Sequence, residues 1–271
     1  MRKFVTIAVL AAAFSSIANA ESAWTMLEKG IRQLEKKRYD RAEAYFHAAV
    51  RMDSRCVDAN YYLGVIYQKK GSHKVAEQLF NKVTKDAPTF HLACGRIGHI
   101  AMKKGDLKTA EEKFTVLADK QPTSQSWMQV AAVQLSRERY KEAEASLTTA
   151  SKFSKGNLDI VELKARLFME TKRFDEALDC YTEILSKIPI DSTARYLRGV
   201  CLKELNREDE ARKEWETVIE KDPWNRRTLE ALVEMYKDDP SREKTVLVYS
   251  KRIEILKKNP PRVRRVSGKK K

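Results

Sequence analysis

Residues 57–90 read VDANYYLGVIYQKKGSHKVAEQLFNKVTKDAPTF, and the stretch divides into two amphipathic halves at Gly71. Leu63, Gly64 and Tyr67 share one stripe of the first half, while Ala76, Phe80 and Val83 form the stripe of the second. Steps of three and four are the period of an α-helix with one buried face, so the segment predicts helix, turn, helix. Its alanine recurs as Ala42, Ala110, Ala143, Ala177 and Ala211, so that each is 33 or 34 residues from the next once Ala76 is counted. Gly64 and Gly98, Pro88 and Pro122, and Pro189 and Pro223 each lie 34 residues apart. A fixed period of this length marks an array of stacked units.

Each place in the period has a physical task. Glycine or alanine at the eighth place, facing alanine at the twentieth, is expected to let two helix backbones approach closely. Four residues after that alanine stand Phe46, Phe80, Phe114, Leu147, Tyr181 and Trp215, large enough to fill the wedge beyond the contact. Proline at the thirty-second place cannot continue a helix and restricts the residue before it, so it closes the unit.

This pattern resembles the tetratricopeptide repeat, whose signature places tryptophan, leucine, glycine and tyrosine on a first helix and alanine, phenylalanine and proline on and after a second. The resemblance implies an all-α, right-handed solenoid over residues 21–259. Its units are 23–56, 57–90, 91–123, 124–157, 158–191 and 192–225, with a degenerate seventh pair at 226–259. Departures fall in the first unit (Ser54 for proline, Lys29 and Gln33 for large apolar residues), the fourth (Lys155 for proline) and the seventh (Thr245 for alanine).

In this family places 2, 5, 9 and 12 of each first helix line a concave surface that binds an extended peptide or a partner's helix. Carried onto this sequence, the second unit offers Tyr61, Val65 and Gln68. The third offers Leu92, His99 and Met102, with Gly95 leaving a hollow, and the fourth offers Met128, Ala132 and Leu135. The fifth turns charged with Asp159, Glu162 and Arg166, followed by Met169; the sixth contributes Tyr196, Val200 and Lys203. The expected partner is therefore a protein segment with an apolar face, and methionine suits such adaptable contacts. Place 5 holds no lysine and place 9 no asparagine, which disfavours the family's carboxylate-gripping version.

The two ends differ from the middle. Trp24, Leu27, Ile31 and Leu34 form a stripe that reads either as a sticky surface for dimerisation or partner binding, or as a helix rotated to cap the core. Val246, Tyr249, Ile253 and Leu256 form the stripe expected of a terminal capping helix.

Residues 1–20 have the plan of a secretory leader: Arg2 and Lys3, an apolar run from Phe4 to Phe14, then Ala18-Asn19-Ala20 at the cut. The run is short of the roughly 20 residues that a membrane span needs. Export is the expectation, to the bacterial periplasm or, alternatively, a eukaryotic secretory lumen. Cys56, Cys94, Cys180 and Cys201 are too few for a disulfide scaffold. Cys180 and Cys201 should lie on neighbouring helices, where an oxidising compartment would allow a bridge; packed free thiols are the plainer reading. Net charge is +15, and residues 257–271 hold eight cations. The tail 260–271 reads as disordered; Arg262, Arg264, Arg265, Lys269, Lys270 and Lys271 either draw it to an anionic envelope surface or form a solvated end that only keeps the protein soluble. Export disfavours nucleic acid as its partner.

No catalytic residues, cofactor or metal are expected. The sequence carries no phosphate-cradling glycine loop, nucleophile elbow or zinc-protease pattern. His91, Cys94 and His99 form the one metal-like cluster, but His99 lies more than two helical turns from His91. An interaction scaffold is the leading reading. The alternatives are a tether acting through its tail and a subunit of a secretion or assembly complex.

Overall fold

The computed structural model describes residues 22–258 apart from Thr84 and Asp86. The leader at 1–20 and the tail at 260–271 lie outside the described residues. The described chain contains fourteen α-helices, one short 3-10 turn and no strand. It falls into two compact units divided between Glu138 and Arg139.

The first unit runs through α1 (Ala23–Glu35), α2 (Tyr39–Met52), α3 (Asp58–Lys69), α4 (His73–Phe80), α5 (Phe90–Lys104), α6 (Leu107–Lys120) and α7 (Ser124–Ser136). Each helix packs on the next, and the first helices of successive repeats touch as well, α1 on α3 and α3 on α5. Its apolar clusters each join a helix pair to the first helix of the following repeat. Met26 and Leu27 of α1 meet Ala42 and Phe46 of α2 and Leu63 and Ile66 of α3. Ala110 and Phe114 of α6 likewise meet Val130 and Val133 of α7.

The second unit comprises α8 (Tyr140–Phe153), α9 (Leu158–Glu170), α10 (Phe174–Lys187), α11 (Ser192–Glu204), α12 (Glu208–Lys221), α13 (Arg226–Tyr236) and α14 (Glu243–Lys258). Packing is again sequential. Ala165, Ala177 and Tyr181 of the fifth repeat share a cluster with Ala194 and Cys201 of α11. Trp215 and Ile219 of α12 pack with Leu229, Leu232 and Tyr236 of α13 and with Ile253 of α14.

Local sequence explains the boundaries. Asn157, Asp191 and Asn225, spaced 34 residues apart, cap α9, α11 and α13 by accepting hydrogen bonds from backbone N–H groups of the first turn. Thr123 and Ser126 do the same for α7 as a reciprocal capping box. Gln121, Ile188 and Asp222, each before a proline, leave helical geometry with φ of −134°, −129° and −131°. One expected helix is cut short. Val83 is buried, but α4 stops at Phe80, and Asn81 and Val83 are weak helix formers that give the backbone little reason to continue.

The turn inside every repeat is left-handed at the same place: Lys37, Gly71, Gly105, Glu138, Lys172 and Asn206 all have φ between +57° and +82°. Glycine adopts this region freely, whereas an L side chain there costs about 1–2 kcal/mol. Lys172→Gly is therefore expected to stabilise the second unit by about 0.5–1 kcal/mol after glycine's greater chain entropy is subtracted. A rise in the urea midpoint at constant m would show it, and an unchanged or lower midpoint would count against strain at this turn.

The close approach within a repeat differs from the expected glycine–alanine contact. All six alanines are fully buried, but what lies over the glycine is the aromatic ring. A Cβ added to Gly30, Gly64 or Gly98 would stand 2.5, 2.5 or 2.8 Å from Cε1 of Phe46, Phe80 or Phe114, and one on Gly199 would stand 2.3 Å from Nε1 of Trp215. The missing side chain makes room for the ring that fills the core.

Candidate partner-binding surfaces

In the first unit the first-helix residues named from the sequence divide into two groups. Tyr61, Met128 and Leu135 are buried, with exposures of 8%, 7% and 4%, so their expected place on an open groove is corrected. Tyr61 turns toward the next repeat and packs with Phe80 and with Ala93 and Ile97 of α5. The hollow expected at Gly95 is also filled, since Leu117 Cδ2 would lie 2.9 Å from a Cβ built there. Place 5 thus faces inward throughout this unit, at Leu27, Tyr61, Gly95 and Met128.

The second group stays accessible. Val65, Gln68, Leu92 and Met102 are half-buried and His99 is exposed. These residues lie on α3 and α5, whose first-helix faces adjoin. Arg96 Nη1 donates to Gln68 Oε1 at 3.4 Å, tying the two helices together across that surface. The His99 ring stands nearly perpendicular to Phe114 with centroids 4.9 Å apart, and its Nε2 lies 3.1 Å from Gln129 Nε2. Although the residue keeps one side in solvent, partial burial of the ring, with Arg96 and Lys103 close by, lowers its pKa below the ordinary imidazole value. The imidazole is therefore neutral at pH 7, free to donate or accept one hydrogen bond rather than to act as a cation. Gln68, His99 and Lys103 also border a small pocket of about 80 Å³ between α3 and α5. The sequence pattern missed Gln129, which falls one place beyond the expected groove position at Met128.

In the second unit Asp159, Glu162 and Arg166 are exposed, as expected of a charged segment. Tyr196 is half-buried: its ring stacks on Trp215 at 6.2 Å, and with Val200 it borders the core of the last repeats. Burial raises the Tyr196 phenol pKa. Met169 is occupied from beneath by Cys201, whose Sγ donates to its Sδ at 3.3 Å.

At the N-terminus Met26, Leu27 and Gly30 are buried while Ile31 and Leu34 pack against the same core, so most of the stripe closes the first unit. Trp24 remains 62% exposed, its Nε1 donating to Glu28 Oε1 at 3.1 Å. All four cysteines are free thiols. Burial pushes Cys180 up to about 11 and Cys201 up to about 12, so neither is appreciably a thiolate at neutral pH. Among the described residues no three His, Cys, Asp or Glu side chains converge as metal ligands would. None of the described helices is long and apolar enough to cross a membrane.

This geometry defines a class: helix-pair repeats that bury one face on the next repeat and present side chains of their first helices. Residues 27–89 match the tetratricopeptide repeat family model, and residues 167–264 match the model of the psidin N-terminal TPR repeats region. Solved structures agree on the fold. The C-terminal part of a TPR repeat-containing protein from Cytophaga hutchinsonii is 15% identical with a TM-score of 0.63, covering 84% of this chain and 94% of its own. A tetratricopeptide repeat protein from Parabacteroides merdae is 15% identical with a TM-score of 0.59, covering 87% and 99%. PilW, described as a widely conserved type IV pilus biogenesis factor, is also 15% identical with a TM-score of 0.59, covering 78% and 98%. No curated protein matches the sequence. The two stretches that match are both of tetratricopeptide type, and the chain has the all-helical fold of the tetratricopeptide-repeat structures it resembles.

Proposed function

We propose that the chain is an exported protein-interaction scaffold whose first unit holds an extended peptide or amphipathic helix of a partner protein. The observation that carries this reading is the accessible set Val65, Leu92, His99 and Met102 on adjoining faces of α3 and α5. Three apolar side chains beside a neutral imidazole suit a segment with an apolar face and an occasional polar group. Met102 can adapt to different contours because its side chain is unbranched and polarizable. The leader-like residues 1–20 support export, with the bacterial periplasm as the compartment. The basic residues from Arg262 to Lys271 would add a salt-sensitive attraction to anionic envelope surfaces, effective over about 8–10 Å at physiological ionic strength.

The test uses the chain as bait in an envelope extract, beside Val65→Ala/Met102→Ala, with washes at low and high salt. A discrete protein retained through high salt should fall about tenfold or more with the double variant, since two apolar contacts supply roughly that free energy. Thermal melts of both baits verify that the fold is intact. Equal retention by the variant would overturn the groove reading. Retention that vanishes at high salt would assign capture to charge instead.

A further inference from the structure

The repeat turns carry a second periodic device. In the fourth, fifth and sixth repeats an arginine directly after the left-handed residue pairs with a glutamate three places on: Arg139 with Glu142, Arg173 with Glu176, and Arg207 with Glu210. In the first repeat the corresponding residues are Arg38 and Arg41. The acid has become a second arginine, so two guanidinium groups stand one helical turn apart where the fourth, fifth and sixth repeats hold a neutral pair.

The surroundings do not offset this charge. Arg38 and Arg41 border an open depression of about 510 Å³, shared with Lys37, Lys69 and Lys70 and with Asp40 as its one acid. Asp40 is already taken, accepting from Lys70 Nζ at 3.1 Å, and Lys70 also reaches Glu43 at 2.7 Å. Lys69 lies over the Tyr39 ring, 5.8 Å from its centroid, rather than on a carboxylate. Ile66 closes the floor. Among the described residues Lys37, Arg38, Arg41 and Lys69 have no acidic partner, so four cations face one volume.

We propose that this depression is a binding site for a phosphate-bearing group. Two or more negative charges on a compact tetrahedral centre match clustered cations better than one carboxylate does. Guanidinium forks supply paired N–H donors, and the lysines add point charge. The depression has room for more than one phosphate. It lies at the turn of the first repeat, and its binding does not depend on the α3–α5 surface. A free phosphate compound and a phospholipid headgroup share this chemistry.

The experiment is titration of the full chain with inorganic pyrophosphate at low ionic strength, beside Arg41→Glu and, as a charge-matched control, Lys152→Glu on the exposed side of α8. Arg41→Glu re-creates the arginine–glutamate pair of the later repeats, so it should melt at or above the temperature of the unaltered chain. Saturable one-to-one binding is expected, weakened at least tenfold by Arg41→Glu and little changed by Lys152→Glu. Absence of saturable binding, or equal weakening by both variants, would overturn the site. A glutamate-rich peptide competing as well as pyrophosphate would overturn the phosphate assignment in favour of acidic protein. Flotation with phosphatidylglycerol vesicles separates the sources. Loss of vesicle binding with Arg41→Glu would support a headgroup, and vesicle binding indifferent to Arg41→Glu, with pyrophosphate binding still lost, would support a free phosphate compound.

Discussion

Trp215→Ala should cost the second unit about 3–5 kcal/mol, a loss large enough to leave much of it unfolded near physiological temperature. The side chain is 1% exposed and is the largest fully buried one among the described residues. It joins α12 to Leu229, Leu232 and Tyr236 of α13 and to Ile253 of α14, so its removal opens a void shared by three helices. Its Nε1 donates to the Tyr196 carbonyl at 3.0 Å. Trp215→Phe keeps much of the ring while deleting that donor, and should cost markedly less. Urea unfolding followed by circular dichroism would measure both. A loss under about 1 kcal/mol for the alanine variant would mean that the terminal repeats rest on other contacts.

Gly64→Ala should destabilise the first unit by about 1–3 kcal/mol, the cost of overpacking a filled core. A Cβ there meets Phe80 at 2.5 Å, and a ring fixed on all sides cannot yield as the end of a flexible chain would. Phe80→Leu alone leaves a void, yet combined with Gly64→Ala it should recover part of the loss. The sequence contains related solutions. The fourth repeat pairs Ala131 with Leu147 in its pattern, and the fifth pairs Ala165 with Tyr181. Tyr181 is 5% exposed where Phe46 and Phe114 are wholly buried, consistent with a ring displaced outward by the extra methyl. A double-mutant cycle should return a favourable coupling above about 0.5 kcal/mol. Strict additivity would show that ring and glycine do not compete for one space.

The architecture was legible because its causes are local and repeated. Prolines at 122, 189 and 223 stop helices, and the alanine beat reports positions with no space for a larger side chain. Two features were not legible. Whether place 5 faces solvent depends on where the following first helix lies, a non-local matter; hence Tyr61 and Met128 read as groove residues and are buried. The partner of Gly64 was likewise misassigned, because spacing along one helix does not say which side chain from another crosses it. The turn at Lys37 and Lys172 could have been found from the same period, since Gly71 and Gly105 occupy that place in the second and third repeats. The sequence shows Arg41 as one more surface charge; only comparison with the pairs at Glu142, Glu176 and Glu210 gives it meaning.

In both units each helix packs on its neighbours in sequence, and the tie at the Tyr61 core spans only one repeat. Such topology has low contact order, so little loop-closure entropy must be lost before native contacts begin to form. No early segment has to wait for a late one to arrive. A chain delivered end-first through a narrow channel can therefore consolidate repeat by repeat as it emerges, and damage to one repeat is felt mainly by those beside it.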